Sequence, residues 1–161
     1  MKKLKIFLDA SAISNLYQDN MPNEMADMKT LWNMIEQGEY EMVFSTLVEH
    51  ELSRIADPQK NAIIKDYIDQ IGCEPCELTT EMEDIANLII KHGILKQKDY
   101  NDCMHIACAM VTGCDCLVSY NFDDINNVKT MKGVRTISLL QGYGDIDIVT
   151  AASLIKKGEK K

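Results

Sequence analysis

Short apolar segments alternate with helical segments along this chain, and that alternation restricts the possible fold more than any other feature. The predicted strands cover residues 4–8, 41–45, 116–120 and 134–138. The predicted helices have apolar residues spaced three or four apart and cover residues 10–17, 24–38, 46–56, 58–71, 79–93, 97–113 and 150–157. Strands that alternate with helices form a mainly parallel sheet covered on both faces. We therefore predict an α/β fold, a three-layer α/β/α sandwich.

The length and hydropathy of the chain indicate one globular domain. Hydrophobic residues make up 46% of the 161 residues, enough for a substantial core. We predict a single domain over residues 1–161, with a core from about residue 4 to residue 155 and a basic tail at 156–161. No apolar run approaches the roughly 20 residues of a transmembrane helix. Asp9 interrupts the N-terminal apolar run and no small-residue cleavage site follows it, so we expect a cytoplasmic protein without membrane association.

The charge of the chain limits how it could contact nucleic acid. Its 17 basic and 25 acidic residues give a formal net charge of −8. A broad basic surface, which drives non-specific DNA binding, is therefore excluded. A small nucleic-acid site, with its negative charge offset by bound cations, remains compatible with this composition.

Six cysteines raise the alternative of a zinc or redox site. They lie at positions 73, 76, 103, 108, 114 and 116. The first pair has CxxC spacing, but the last pair has CxC spacing, one residue short of the second half of a four-cysteine zinc site. The middle pair lies in an apolar helical segment, where cysteine is a small core residue. We interpret all six as reduced structural thiols.

Oxygen-bearing side chains follow three of the predicted strands. Asp9 ends the first strand, Ser45 ends the second, and Asn121, Asp123 and Asp124 follow the third. In an open parallel sheet, ligands bind beyond the carboxyl ends of the strands. We therefore expect these side chains to share one site at that edge.

Two further acids lie beside apolar helical segments. Glu51 falls within the apolar face of its helix, where an unpaired carboxylate is costly to desolvate. Asp102 lies in the first turn of a helix whose later residues are apolar except for His105. Alternatives remain for each: Glu51 extends its carboxylate to solvent or pairs with a lysine or arginine, Asp99 caps the helix while Asp102 gains from the helix dipole, and His105 is a hydrogen-bonded core histidine.

Carboxylates gathered at one edge repel each other, so their pKa values rise or a cation lies among them. Mg²⁺ and Mn²⁺ prefer sites made of oxygen ligands. A carboxylate cluster without a nearby partner histidine or nucleophilic serine is typical of metal-assisted hydrolysis, most naturally of a phosphodiester.

Four segments in the same order resemble a known family. They are "IFLDAS", "STLVEHELSR", "NDCMHIACAMVTGCDCLVSYNF" and "GYGDIDIVTAASLI". Together they resemble a PIN-domain protein of the VapC-like kind, from residue 4 to about residue 155. The resemblance implies an α/β/α sandwich and a Mg²⁺- or Mn²⁺-dependent ribonuclease that acts on RNA. It also implies a toxin of a type II toxin–antitoxin pair, with an antitoxin protein as partner and a homodimeric state.

The resemblance assigns roles by position. Asp9, Glu51 and Asp102 match the first three metal-site acids of the family, and Asn121 stands where a fourth acid is usual. Asparagine offers an amide oxygen without charge, so a neighbouring aspartate compensates or a second metal binds weakly. The candidate catalytic residues are Asp9, Glu51, Asp102 and Asn121, and the candidate metal ligands are these four with Asp123 and Asp124. Ser11 and Ser119 are expected to orient water, and Arg54 and Lys98 are expected to contact the substrate.

Three other functions are alternatives to a metal-dependent ribonuclease. The closest alternative is a catalytically weak or inactive PIN-like module that binds RNA or a protein partner, because Asn121 replaces an acid. A receiver domain would need an acidic pair after the first strand and a lysine after a late strand, and neither is present. A haloacid-dehalogenase-like phosphatase would need Asp-x-Asp after the first strand, where this chain has Asp9-Ala-Ser.

Overall fold

A computed structural model describes residues 3–155 of the chain. Its sheet has four parallel strands, in the spatial order β2–β1–β3–β4. The strands are β1 (Leu4–Leu8), β2 (Tyr40–Val43), β3 (Cys116–Val118) and β4 (Asp147–Val149). β1 lies inside the sheet, and its Ile6 pairs with Met42 on one side and Cys116 on the other. The sheet centre is therefore apolar on both faces, as parallel sheets require.

Seven α-helices surround the sheet in the described part of the chain. They are α1 (Ala10–Ser14), α2 (Pro22–Glu36), α3 (Thr46–Ser53), α4 (Pro58–Ile71), α5 (Thr80–Lys91), α6 (Tyr100–Val111) and α7 (Val128–Leu140). Helix α6 contacts β1 and β3 and packs against α5, which also contacts α7, while α2 contacts β2. The predicted three-layer α/β/α sandwich is confirmed.

The predicted strand at 134–138 is wrong, because this segment belongs to α7. Asn127 caps the helix by accepting a hydrogen bond from the Thr130 N–H at 2.9 Å. The buried positions 130, 134, 137 and 138 have helical spacing. The fourth strand is β4 instead, which the prediction missed because it begins at the exposed Asp147 and has only one buried position, Ile148. Valine, threonine and isoleucine favour strands, but the cap and the packing of α7 outweigh that preference.

Gly133 explains how α7 can pack so closely. A Cβ atom at this position would lie 2.5 Å from Cγ1 of Ile94, in the segment that precedes α6. Only glycine allows this approach, so a residue that interrupts helical patterns is here required for helix packing.

The remaining helix predictions differ mainly at their ends. The segment predicted as helix 10–17 is α1 followed by a 3-10 helix at Asn15–Tyr17, and 97–113 begins with another at Gln97–Asp99. The last predicted helix appears as a short 3-10 helix at Ala151–Ser153; its final two residues, and the tail at 156–161, lie outside the described residues. No helix between residues 3 and 155 is long and apolar enough to cross a bilayer.

Candidate functional site

The ends of β1 and β3 are joined by a buried polar network around Asp9. Asp9 is 2% exposed and caps α1, its Oδ1 accepting hydrogen bonds from Ser11 Oγ at 2.7 Å and from the Ala12 N–H at 2.9 Å. Ser119 also hydrogen-bonds to Asp9, and the Tyr120 N–H donates to Ser11 Oγ at 2.8 Å. Both predicted supporting serines therefore contact the same carboxylate.

Burial dominates the electrostatics of Asp9. Desolvation raises the pKa of its carboxyl above the usual value, although the hydrogen bonds from Ser11 and Ser119 and the charge of His105 act in the opposite direction. A carboxylate in this position gains from any added positive charge nearby.

Glu51 is paired with a histidine. His105 Nε2 lies 2.9 Å from Glu51 Oε1, and the two side chains are 3% and 28% exposed. The alternative of a lysine or arginine partner for Glu51 is therefore wrong, whereas His105 is a hydrogen-bonded core histidine as its sequence context indicated. We call Asp9, Glu51 and His105 the inner cluster.

The inner cluster contains its own cation. Burial disfavours the imidazolium form of His105, but the hydrogen bond and charge of Glu51, with the charges of Asp9 and Asp102, raise its pKa above the usual value. His105 Nδ1 has no hydrogen-bond partner among the described residues. A protonated His105 thus offsets part of the negative charge that surrounds it.

A second group of acids lies beside the inner cluster. Asp99, Asp102 and Asp124 each place a carboxylate oxygen within 4.8 Å of the others. Within residues 3–155, no other set of three histidine, cysteine or acidic side chains meets this criterion. We call these three residues the rim cluster. It joins the start of α6 to the loop after β3, segments that parallel pairing brings to one edge.

Repulsion within the rim cluster is evident at Asp102. Burial, with the charges of Asp124, Asp99 and Glu51, raises its pKa to about 6, while His105 acts in the opposite direction. The ionised form of the Asp102 carboxyl is therefore unfavourable in this position, and a bound cation would stabilise it strongly.

One lysine side chain partly balances this charge. Lys98 Nζ lies 3.0 Å from Asp99 Oδ1; the lysine side chain is 70% exposed and that of Asp99 only 10%. Asp99 occupies the N-cap position of α6, but its side chain makes no capping hydrogen bond. The alternative in which Asp99 caps α6 through its carboxylate is therefore wrong.

The structure separates the candidates that follow β3. Asn121 Oδ1 accepts a hydrogen bond from the Asp124 N–H at 3.2 Å, so this amide shapes the turn. The Asp124 carbonyl in turn accepts from Thr130 Oγ1 at 2.7 Å. Asp124 belongs to the rim cluster, whereas Asp123 is exposed and does not.

Arg54, predicted to contact the substrate, is exposed at the C-terminal end of α3.

Asp99 is the rim-cluster member that we did not predict as a site residue. A usable signal existed, since Asp99 and Asp102 are three residues apart and such residues lie on the same side of a helix turn. An acid before a helix is more often a cap, and only the contacts of the carboxylate distinguish the two roles.

The donor set of the rim cluster fits a hard divalent cation. Three carboxylates supply oxygen ligands and a net charge that one Lys98 does not balance. A separate cavity of about 450 Å³ lies between α3 and α4, and none of the three rim-cluster acids lines it.

Comparison with protein families agrees with this geometry. A family model described as PIN domain matches residues 6–130, which covers β1 through the start of α7 and includes both clusters. No curated protein matches the chain at a significant level.

Proposed function

The chain belongs to the PIN-domain family, and on that premise we propose that it is a Mg²⁺- or Mn²⁺-dependent endoribonuclease that hydrolyses RNA phosphodiesters. The observation that carries the proposal is the rim cluster, in which three carboxylates meet beyond the carboxyl ends of the strands. Family membership favours nuclease chemistry, and the oxygen donors favour these two ions over softer metals.

The proposed roles follow from the position of each side chain. Asp99, Asp102 and Asp124 would hold the cation, with Asp9, Glu51 and Asn121 as further participants from the same edge. A bound divalent cation supplies charge neutralisation at the scissile phosphate and activates water for attack. Ser11 and Ser119 hold Asp9 in place. The products would carry a 5′-phosphate and a 3′-hydroxyl.

We extend the proposal to the VapC-like toxins, whose motifs four segments of the chain resemble. In that case the protein would be the toxin of a type II toxin–antitoxin pair, it would act in the cytoplasm, and it would form a homodimer that a cognate antitoxin inhibits. Expression of the chain alone should then arrest growth, and expression of Asp102→Asn should not.

One observation favours a second function, a PIN-like module that binds RNA or a protein without cleaving it. Asn121 replaces the usual fourth acid, and its side-chain oxygen already accepts a hydrogen bond from the Asp124 N–H. It brings no charge to the site, so the total carboxylate charge that can hold a metal is reduced.

Cleavage assays separate these functions. Purified protein is incubated with single-stranded RNA and transfer RNA at millimolar Mn²⁺, beside Asp102→Asn and the matched variant Asp66→Asn, at an exposed position on α4. The same carboxylate-to-amide change is made inside and outside the rim cluster. We expect cleavage by the parent chain and by Asp66→Asn and none by Asp102→Asn. Intact RNA with the parent chain at high enzyme concentration would contradict the nuclease and favour the binding module.

A further inference from the structure

Lys98 holds an unusual place beside the rim cluster. Its ammonium contacts Asp99, and it is also within electrostatic range of Asp124 and Asp102. No other lysine or arginine in residues 3–155 has an ion pair with these three acids. Among the described residues, the one lysine or arginine paired directly with the cluster is therefore a side chain that is mostly exposed to solvent.

Asp99 and Lys98 differ strongly in exposure. The Asp99 side chain is 10% exposed at the start of α6, whereas the Lys98 side chain is 70% exposed. The carboxylate thus lies within the site, and the ammonium reaches it from the solvent side. A divalent cation and this ammonium compete for the same carboxylate oxygens, and the cation brings twice the charge.

The space beside the rim cluster offers the ammonium another position. A cavity of about 180 Å³ is lined by three lysines and three aspartates: Lys96, Lys98, Lys129, Asp99, Asp123 and Asp124. Two of these aspartates, Asp99 and Asp124, belong to the rim cluster, so a divalent cation held there would offset their charge. The lysines would then be free to bind a phosphate group, which flexible ammonium groups bind as point charges.

We propose that Lys98 is an exchangeable counter-ion of the rim cluster, which balances Asp99 in the metal-free protein and, once a divalent cation replaces it, contacts an RNA phosphate in the lysine-lined cavity. This inference rests on the proposed nuclease function. It makes Lys98 a positioning residue with two opposite effects: it weakens metal binding and strengthens RNA binding, but only when metal is bound.

The first test measures metal binding without RNA. Isothermal titration with Mn²⁺ at low ionic strength is performed on the parent chain, Lys98→Gln and Lys98→Arg. Lys65→Gln is the matched control, because Lys65 is also 70% exposed and ion-paired, with Asp69 on α4. We expect Lys98→Gln to tighten Mn²⁺ binding about threefold, within the range of an exposed ion pair, and the other two variants to leave it unchanged.

The second test measures RNA binding by fluorescence anisotropy over a range of salt concentrations, with EDTA and with Ca²⁺, and the RNA is checked for integrity afterwards. One phosphate contact contributes about 0.7 to the slope of log affinity against log salt for a single strand. We expect Lys98→Gln to reduce the slope by about 0.7 with Ca²⁺ and not with EDTA. Lys98→Arg should keep the slope of the parent chain.

The outcomes distinguish the two proposals. If the parent chain binds no Mn²⁺, the proposed metal site fails and the role of Lys98 fails with it. If the parent chain binds Mn²⁺ but Lys98→Gln binds it equally or more weakly, only the counter-ion role is overturned. An equal loss of salt slope with EDTA and Ca²⁺ would also overturn it, because Lys98 would then contact RNA whether or not metal is present.

Discussion

The inner cluster and the rim cluster lie at the same edge of the sheet but balance their charge differently. In the inner cluster, Glu51 pairs with the buried His105 at 2.9 Å, and Asp9 is surrounded by hydroxyl and backbone donors. In the rim cluster, three carboxylates have one exposed ammonium among them. The inner cluster is therefore largely self-sufficient, whereas the rim cluster gains from a cation supplied by the solution.

This difference separates two uses of acidic residues near an active site. Partners from within the chain, such as His105 and Ser11, fix a carboxylate in place and allow it to be buried. Acids without such partners keep an uncompensated charge: burial, together with the charges of Asp124, Asp99 and Glu51, raises the pKa of Asp102 to about 6, and this favours binding of an external ion. The comparison predicts that substitutions in the two clusters will have different consequences.

Metal affinity should give the largest contrast. We expect Asp102→Asn to weaken Mn²⁺ binding more than about 100-fold and Asp9→Asn about tenfold, because removal of a ligand costs more than removal of a group that supports the ligands. Isothermal titration measures both. Equal losses of Mn²⁺ affinity would indicate that Asp9 is a direct ligand and that the two clusters do not differ in this respect. Unchanged binding in both variants would show that neither Asp9 nor Asp102 belongs to the metal site.

Stability should give the reverse contrast. His105→Gln leaves Glu51 and Asp9 without their buried cation and should lower the free energy of unfolding by about 2 to 3 kcal/mol, somewhat less than for a fully buried pair because Glu51 is partly exposed. Urea denaturation in EDTA measures the change. The double variant Glu51→Gln/His105→Gln should recover part of the loss. A loss below the error of the measurement would show that His105 does not balance the inner cluster.

The raised pKa of Asp102 predicts a pH-dependent effect on stability in EDTA. Its folded pKa of about 6 lies above the usual 3.8, so between about pH 4 and pH 6 the folded state holds more protons than the unfolded state. Stability contributed by this group therefore falls as pH rises through that window. Asp102→Asn should stabilise the metal-free protein by about 1 to 2 kcal/mol at pH 7.5, after allowance for partial exposure, and not at all below pH 4.

Thermal unfolding of both proteins across this pH range, in EDTA, provides the measurement. With Mn²⁺ present at pH 7.5 the order should reverse, since only the parent chain gains from the bound ion. Destabilisation by Asp102→Asn in EDTA at pH 7.5 would contradict the proposed charge imbalance.

Restoring the fourth acid should have the smallest effect. Asp at position 121 keeps an oxygen that can accept from the Asp124 N–H, so Asn121→Asp should fold normally. We expect Asn121→Asp to tighten Mn²⁺ binding about threefold, because it adds a negative charge near the rim cluster. The effect is small because the high dielectric constant at the protein surface weakens the attraction between charges. Circular dichroism and titration test this. Weaker Mn²⁺ binding would indicate that Asn121 serves the turn rather than the metal.

The fold could be predicted largely from local signals. Strand 4–8 and most of the helices follow from the spacing of apolar residues. Asp9 and Ser45, predicted only as oxygen donors at strand ends, also cap α1 and α3. The strand at 134–138 was wrong because residues that favour strands lie there in a helix, held by the Asn127 cap and by packing that requires Gly133. β3 and β4 each have three residues, but only β3 is buried throughout, so β4 left no apolar run to detect.

The sequence by itself determined that oxygen-bearing side chains would meet at one edge, since parallel strands place their carboxyl ends together. Only the tertiary structure decided how they are grouped. In the folded chain Glu51 pairs with His105, 54 residues away. Asp124 belongs to the rim cluster and Asp123 does not. The Asp99 carboxylate belongs to that cluster and makes no capping hydrogen bond. These choices depend on loop conformation and on contacts between distant residues, which local periodicity does not encode.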